Sequence, residues 1–130
     1  MFDTILCVDD DPITLMLCKK VIVKAGFSEK ILFANNGKEA IDLIEKCQKE
    51  PEANTPPQLI FLDLNMPIIN GWDFLDYFTK NNDPCFSNTK VIILSSTIDP
   101  ADYNKAKQYN VVSHFISKPI TVEILETLKS

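Results

Sequence analysis

Four of the short apolar runs in this chain of 130 residues end in side chains that can do chemistry. These residues are Asp9 and Asp10, Asp63, Ser95 and Lys118. If the runs are strands of one parallel sheet, their carboxyl ends meet at one edge, which is where such sheets bind ligands. Three carboxylates, one hydroxyl and one ammonium group would then share a small pocket.

Such a pocket requires a cation, because carboxylates placed this close together repel one another. The candidate ligands are oxygens, and the chain has one histidine (His114) and no CxxC pair. This favours Mg²⁺, with Mn²⁺ as a substitute, over zinc or copper. Mg²⁺ keeps several waters, so two carboxylates and one backbone carbonyl suffice. We expect that carbonyl from Asn65, on the bend that Met66-Pro67 and Asn70-Gly71 shape after Asp63.

Asp63 is the candidate nucleophile of the predicted pocket. A carboxylate whose charge is offset by a metal can accept a phosphoryl group as an acyl phosphate. Catalysis of that transfer is mostly positioning and charge stabilisation, which the metal, Lys118 and Ser95 would supply. The chain has three glycines and no phosphate-cradling loop for ATP, so we expect an external phosphoryl donor.

Alternating strand and helix patterns must position these residues. Strands are predicted over 4–8, 30–34, 59–63, 90–96 and 113–117. Helices are predicted over 12–25, 37–48, a stretch that follows Gly71, 100–109 and 121–129. Asp11 is the expected N-cap of the first helix, Pro12 its first residue and Gly26 its end. The alternation predicts an α/β fold with a parallel sheet and helices on both faces.

The composition indicates one globular domain over residues 1–130. The net charge of −5 argues against a nucleic-acid partner or an anionic membrane surface. No apolar run approaches the roughly 20 residues that span a bilayer, and the N-terminus lacks the positive region of a signal peptide. The four scattered cysteines are expected to be reduced, which favours a cytoplasmic protein.

Four segments together resemble the response-regulator receiver domains of two-component signalling. They are "ILCVDDDP", "LIFLDLNMPIINGWDFL", "VIILSS" and "FISKP". The resemblance covers essentially the whole chain and implies a flavodoxin-like sheet of strand order 2-1-3-4-5. It implies a phosphoacceptor switch of a phosphorelay, which assists its own phosphorylation and dephosphorylation without being a turnover enzyme. The implied partners are a sensor histidine kinase or histidine phosphotransfer protein, and a downstream protein.

The resemblance also assigns roles within the pocket. Asp63 matches the phospho-accepting aspartate, Asp10 a direct metal ligand and Asp9 an acid that acts largely through water. Ser95 matches the switch hydroxyl, and Lys118 matches the lysine that contacts the phosphoryl group.

Further roles follow from the resemblance outside the pocket. Phe115 stands where many members have a Tyr or Phe rotamer switch, and it lacks the hydroxyl of a tyrosine. The peptide bond before Pro119 is expected to be cis, and Asn65 and Thr97 stand at positions that tune phosphate hydrolysis. Phosphorylation is expected to change the surface of helix 4, strand 5 and helix 5.

The first helix carries two apolar stripes. The stripe predicted to enter the core consists of Leu17, Cys18, Val21, Ile22 and Ala25. Leu15 and Met16 are left on another face, which indicates either burial on a second side or a docking surface. Since the first helix of receiver domains commonly contacts the donor, we expect Leu15 and Met16 to help dock it.

Two other functions remain open from the sequence. "FLDLN" resembles the strand-end signature of haloacid dehalogenase phosphatases, although Asn65 stands where that signature has a second aspartate. A pseudo-receiver that binds partners without phosphorylation is the other alternative, against which the complete acidic set argues. His114 is expected to be structural or to lie at the surface, and with one histidine and no suitable partner a Ser-His-Asp triad is not expected.

Overall fold

A computed structural model describes residues 4–28, 30–81, 83–96 and 99–128. Within these residues five parallel strands form one sheet in the order β2-β1-β3-β4-β5, which confirms the predicted fold. The strands are β1 (Ile5–Val8), β2 (Ile31–Ala34), β3 (Leu59–Asp63), β4 (Lys90–Ser95) and β5 (Val112–Ser117). The helices are α1 (Pro12–Ala25), α2 (Gly37–Lys49), α3 (Gly71–Asn81), α4 (Pro100–Ala106) and α5 (Val122–Leu128), and a short 3₁₀ turn (Pro84–Phe86) precedes β4. None of the described helices combines the length and the apolar character needed to cross a membrane.

Two apolar layers cover the sheet, one on each face. Side chains of β1, β3 and β4 alternate between them, so that Leu6 enters one layer and Cys7 the other. The first layer includes residues of α2, α3 and α4, and the second includes residues of α1 and α5. Because both faces are covered, β1 and β3 are continuous apolar runs rather than alternating ones.

Helix α1 begins and ends as its sequence predicts. The Asp11 carboxylate accepts hydrogen bonds from the Ile13 backbone N–H at 3.0 Å and from the Thr14 hydroxyl at 3.1 Å. Gly26 ends the helix with φ 73°, a left-handed conformation that glycine adopts without a steric penalty. Only three residues therefore separate the end of β1 from the start of the helix, and the acidic pair lies among them.

The burial predicted for α1 is wrong at two positions. Leu15 is 6% exposed and lies in the core, whereas Leu17 is 39% exposed. At about 3.6 residues per turn, residues 15, 18, 22 and 25 share one side of the helix. Leu15 therefore belongs to the buried stripe with Cys18 and Ile22, and it does not lie on an exposed docking face. Met16 is exposed, as predicted.

Helix α4 ends at Ala106, earlier than the predicted end at Tyr109. Tyr109 instead lies against α3, where its ring stacks on Trp72 with centroids 6.0 Å apart. Its hydroxyl donates to Asp76 Oδ1 at 2.7 Å, and Lys105 Nζ lies 4.5 Å from the centre of the Trp72 ring. These side-chain contacts hold the end of α4 against α3.

Candidate functional site

Strand pairing brings the polar strand ends to one edge of the sheet. Val8 of β1 is paired with Leu62 of β3, so Asp9 and Asp63 follow at neighbouring positions. On the other side of β3, Ser95 of β4 is paired with Ser117 of β5, directly before Lys118. The convergence that the sequence predicts is thus a consequence of the parallel register.

Three carboxylates meet at this edge. Oxygen atoms of Asp9, Asp10 and Asp63 all lie within 4.8 Å of one another. Asp9 and Asp63 are buried, whereas Asp10 is exposed. The acidic cluster therefore has a buried base and an open side, which would give an ion access from solvent.

Lys118 completes the cluster from the end of β5. Its Nζ lies 2.7 Å from Asp9 Oδ2 and 3.4 Å from Asp63 Oδ1. The Lys118 backbone N–H donates to the Ser95 carbonyl at 2.8 Å, and the peptide bond to Pro119 is cis, as the resemblance implies. The ammonium group thus faces the carboxylate that the sequence predicts to be the acceptor.

The electrostatics of the pocket show an excess of negative charge. Burial raises the pKa of Asp63, and the Asp9 charge raises it further, although Lys118 and the Asn65 N–H act in the opposite direction. Burial alone would lower the pKa of Lys118, but its hydrogen bond to Asp9 and the charge of Asp63 outweigh burial and raise it. Three carboxylates (−3) and one ammonium (+1) leave a formal charge of −2. An all-oxygen site with this charge fits a hard divalent cation.

The switch hydroxyl that the sequence predicts, Ser95, is buried at the last position of β4. The next residue, Ser96, is exposed where the chain bends toward α4. Thr97, predicted to tune hydrolysis, lies outside the described residues. The described part of β4 therefore brings Ser95 to the same edge as Asp63 and Lys118.

The loop after β3 is packed tightly against the candidate acceptor. The Gly71 N–H donates to the Leu64 carbonyl at 3.0 Å. A Cβ atom at Gly71 would lie 2.6 Å from the Asp63 carbonyl oxygen and 2.8 Å from Leu64 Cα. Asn65 is exposed, and its N–H donates to Asp63 Oδ1 at 3.4 Å. The sequence marks Gly71 only as a turn signal, since its close approach to Asp63 is a property of the tertiary structure.

The same loop contains a tight turn that the sequence does not predict. Ile68 has φ 68°, and the Ile69 N–H donates to the Pro67 carbonyl at 2.8 Å. This is a three-residue turn centred on Ile68, and branched side chains rarely adopt that conformation. The Ile68 side chain is 88% exposed. The sequence does not indicate this turn, because a positive φ is usually recognised by a glycine or an asparagine and this position is an isoleucine.

Phe115, the predicted switch residue, lies half-buried on β5 and packs against the first apolar layer. Its ring meets the edge of the Tyr103 ring of α4, with centroids 5.9 Å apart and an interplanar angle of 73°. Tyr103 is 43% exposed. Phe115 therefore links β5 to the outer surface of α4.

Comparison with known proteins gives a consistent result. Residues 5–129 match the family described as "Response regulator receiver domain". A two-component response regulator from Cytophaga hutchinsonii is similar in structure, with a TM-score of 0.85, 34% identity, and coverage of 98% of this chain and 94% of that one. The chemotaxis protein CheY4 of Vibrio cholerae has the same fold, with a TM-score of 0.77, 23% identity, and coverage of 99% and 98%.

Curated sequences add a relative of greater length. The chain is 32% identical over 129 residues to the transcriptional regulatory protein HptR of Staphylococcus aureus, an alignment that covers 98% of this chain. It spans 45% of the length of HptR. It is also 26% identical over 122 residues to a probable methanogenesis regulatory protein, FilR2, of Methanothrix harundinacea, and spans 76% of that protein.

Proposed function

Since the chain belongs to the response regulator receiver domain family, we propose that its Asp63 carboxylate accepts the phosphoryl group. Members of this family act as phosphoacceptor switches in two-component signalling. The observation that carries the assignment is the position of Asp63, which is buried at a strand end with two further carboxylates and the Lys118 ammonium group around it. The reported relatives are regulators, and nothing among them supports the phosphatase alternative.

The acidic cluster would hold Mg²⁺ through oxygen atoms. We assign direct contacts to the carboxylates of Asp10 and Asp63 and to the Asn65 carbonyl, and a contact through water to Asp9. The formal charge of −2 and the exposure of Asp10 support this assignment. When bound, the cation offsets the charge of the carboxylates and of the incoming phosphoryl oxygens.

The transfer itself is a substitution at phosphorus. An Asp63 carboxylate oxygen bonds to the phosphorus of a phosphohistidine, the P–N bond breaks, and the imidazole leaves with the electron pair and takes a proton from solvent. Lys118, at 3.4 Å from Asp63 Oδ1, would contact one phosphoryl oxygen, and the Ser95 hydroxyl another. The donor is a histidine kinase or a histidine phosphotransfer protein.

The output of the switch would pass through Ser95 and Phe115. The added phosphoryl charge and oxygens attract the Ser95 hydroxyl, and the chain that connects β4 to α4 follows it. Phe115 then packs inward and alters its present contact with the Tyr103 ring of α4. The surface made by α4, β5 and α5 changes as a result, and a downstream protein reads that change.

Labelling with acetyl phosphate and Mg²⁺, followed by intact-mass spectrometry, tests the acceptor. We expect the protein to gain one phosphoryl group, Asp63→Asn to gain none, and a chelator to suppress labelling. Asp11→Asn is the matched control, because asparagine caps a helix as well as aspartate does and Asp11 lies outside the acidic cluster. Labelling that persists on another residue of Asp63→Asn would overturn the assignment.

A further inference from the structure

A cavity lies at the edge of the sheet opposite to the acceptor pocket. Its volume is about 770 Å³, within the range of about 300–1,000 Å³ that small-molecule sites occupy. Its walls come from the end of α3, from the segment between α3 and β4, and from the turn between α4 and β5. Lys90 begins β4 and Val111 directly precedes β5, so the cavity lies at the amino-terminal ends of these strands. We call it the amino-edge cavity.

The floor of the amino-edge cavity is aromatic. The rings of Phe78 and Phe86 lie with their centroids 5.2 Å apart and an interplanar angle of 54°. Both residues belong to the first apolar layer but keep some exposure, whereas Phe74, one turn earlier in α3, is fully buried. Tyr109 contributes a third ring. This floor favours a ligand with an aromatic or large apolar body, since contacts between aromatic rings add to the free energy of apolar burial.

The amino-edge cavity carries one charge of each sign. Lys90 is exposed, and within the described residues its ammonium group forms no ion pair. Asp83 is half-buried, and its Oδ1 accepts a hydrogen bond from the Cys85 N–H at 2.9 Å. A ligand with a single charge would therefore meet one repulsive group. A zwitterion would instead meet an attractive group for each of its charges.

Two side-chain amides complete the polar side of the cavity. Gln108 and Asn110 are exposed on the turn between α4 and β5, and their amides form no hydrogen bond with another described residue. Each amide can both donate and accept, so it can bind a carboxylate or an ammonium group. The turn is fixed by its backbone, because the Tyr109 N–H donates to the Ala106 carbonyl at 3.1 Å. The polar groups therefore lie on a fixed wall beside the aromatic floor.

We propose that the amino-edge cavity binds a small zwitterion with an aromatic or large apolar side chain, which is the chemistry of a free amino acid. The side chain would lie on the aromatic floor, the carboxylate would pair with Lys90 and the ammonium group with Asp83. A ligand placed there bridges α3 and the turn after α4. Because Tyr109 lines the cavity and also stacks on Trp72 of α3, the ligand would hold the end of α4 in its present position.

Such a ligand would oppose the switch. The proposed function changes the surface of α4 when Asp63 carries a phosphoryl group, and this part of the inference rests on that function. A ligand that binds one arrangement of α4 more tightly than the other shifts the equilibrium between them. Phosphorylation should then weaken the binding of the ligand by the same factor by which the ligand disfavours the phosphorylated arrangement.

Fluorine NMR with para-fluorophenylalanine as the probe tests the binding. Two related probes each lack one charge, since para-fluorohydrocinnamate has no ammonium group and para-fluorophenethylamine has no carboxylate. Lys90→Met and Asp83→Asn remove the matching charges of the protein, and asparagine keeps the cap that Asp83 provides to the 3₁₀ turn. Lys80→Met is the matched control, because Lys80 is an exposed lysine of α3 that does not line the cavity.

We expect a dissociation constant of about 1 mM for para-fluorophenylalanine, as is typical of a ligand of this size. Lys90→Met should weaken this binding by about threefold without weakening that of the amine, because a partly exposed ion pair contributes on that scale. Asp83→Asn should weaken it by a similar factor without weakening that of the hydrocinnamate. Lys80→Met should bind all three probes as the wild-type protein does.

Addition of acetyl phosphate and Mg²⁺ to the same samples tests the opposition to the switch. We expect phosphorylation to weaken binding of the probe to the wild-type protein by at least about fivefold. Asp63→Asn should keep its probe, because it cannot be phosphorylated at that position.

Two results would refute the binding site. One is an unchanged fluorine spectrum at a probe concentration about tenfold above the expected dissociation constant. The other is equal weakening by Lys80→Met and Lys90→Met. A phosphorylated wild-type protein that keeps its probe would overturn the opposition to the switch. Failure of acetyl phosphate to label Asp63 would instead remove the proposed function and leave the binding result intact, so the two failures are distinguishable.

Discussion

Replacing Gly71 with alanine tests how closely α3 must approach the acceptor strand. The added Cβ would lie 2.6 Å from the carbonyl oxygen of Asp63 and 2.8 Å from Leu64 Cα. Both atoms belong to the backbone, so no side chain can turn aside to relieve the contact. Gly71 is not among the described residues with positive φ, so the contact, rather than the backbone conformation, sets the effect.

The size of the effect follows from that contact. A normal contact requires a separation of about 3.4 Å, so backbone atoms must move by about 0.8 Å, and overpacking of this kind costs about 1–3 kcal/mol. Alanine also reduces the conformational entropy of the unfolded chain, which offsets less than about 1 kcal/mol of this cost. We expect a net loss of about 2 kcal/mol in the free energy of unfolding. At about 2.1 cal/mol/K per residue this lowers the melting temperature by about 7 °C.

The replacement should also slow the phosphorylation of Asp63, because the displaced carbonyl belongs to that residue. We expect acetyl phosphate labelling of the folded Gly71→Ala protein to slow by about tenfold, since misplacement of a reacting group by about 1 Å can cost more than that. Gly37→Ala is the matched control, because its Cβ meets the Ile69 backbone and not that of Asp63. It should melt at a lower temperature and keep its labelling rate within about twofold. If folded Gly71→Ala is labelled by acetyl phosphate at the wild-type rate, the reasoning is refuted.

Two further predictions concern buried polar groups. Lys118→Met should lower the free energy of unfolding of the metal-free protein by about 2 kcal/mol, because Asp9 and Asp63 lose their ion pair. It should also enlarge the stabilisation by Mg²⁺, which urea titrations with and without the metal measure. Equal effects of Mg²⁺ on the wild-type protein and the variant would contradict this prediction. In the part of the chain that the structure describes, the Thr4 hydroxyl is buried without a hydrogen-bond partner. Thr4→Val should therefore raise the free energy of unfolding by about 1 kcal/mol in the same titration, whereas a less stable variant would show that the hydroxyl is satisfied.

The sequence predicts most of what positions the site. Strand β3 has the predicted bounds, and β2 begins one residue later than expected. The Asp11 cap and the Gly26 stop are local signals, which involve only neighbouring residues, and both are confirmed. The end of a strand is also a local signal, so the polar side chains at the strand ends predict at which edge of the sheet the acidic cluster lies.

Features that depend on tertiary packing are harder to predict from the sequence. Positions 15 and 17 are both leucine, so only the orientation of α1 on the sheet determines which of them is buried. Helix α4 ends before Tyr109, whose hydroxyl bonds to Asp76 of α3, a partner that is distant in sequence. The turn at Ile68 uses a residue type that predicts an extended strand, so its positive φ follows from the surrounding loop alone.

The contact between α3 and α4 gives this protein a natural spectroscopic probe. Trp72 is the single tryptophan of the sequence, and its indole ring contacts both the stacked Tyr109 ring and the Lys105 ammonium group. A cation near an indole and a stacked phenol both alter its emission, so any displacement of α4 relative to α3 should change the fluorescence spectrum. If the proposed switch moves α4, stopped-flow mixing of the unlabelled protein should report its rate with a time resolution of milliseconds.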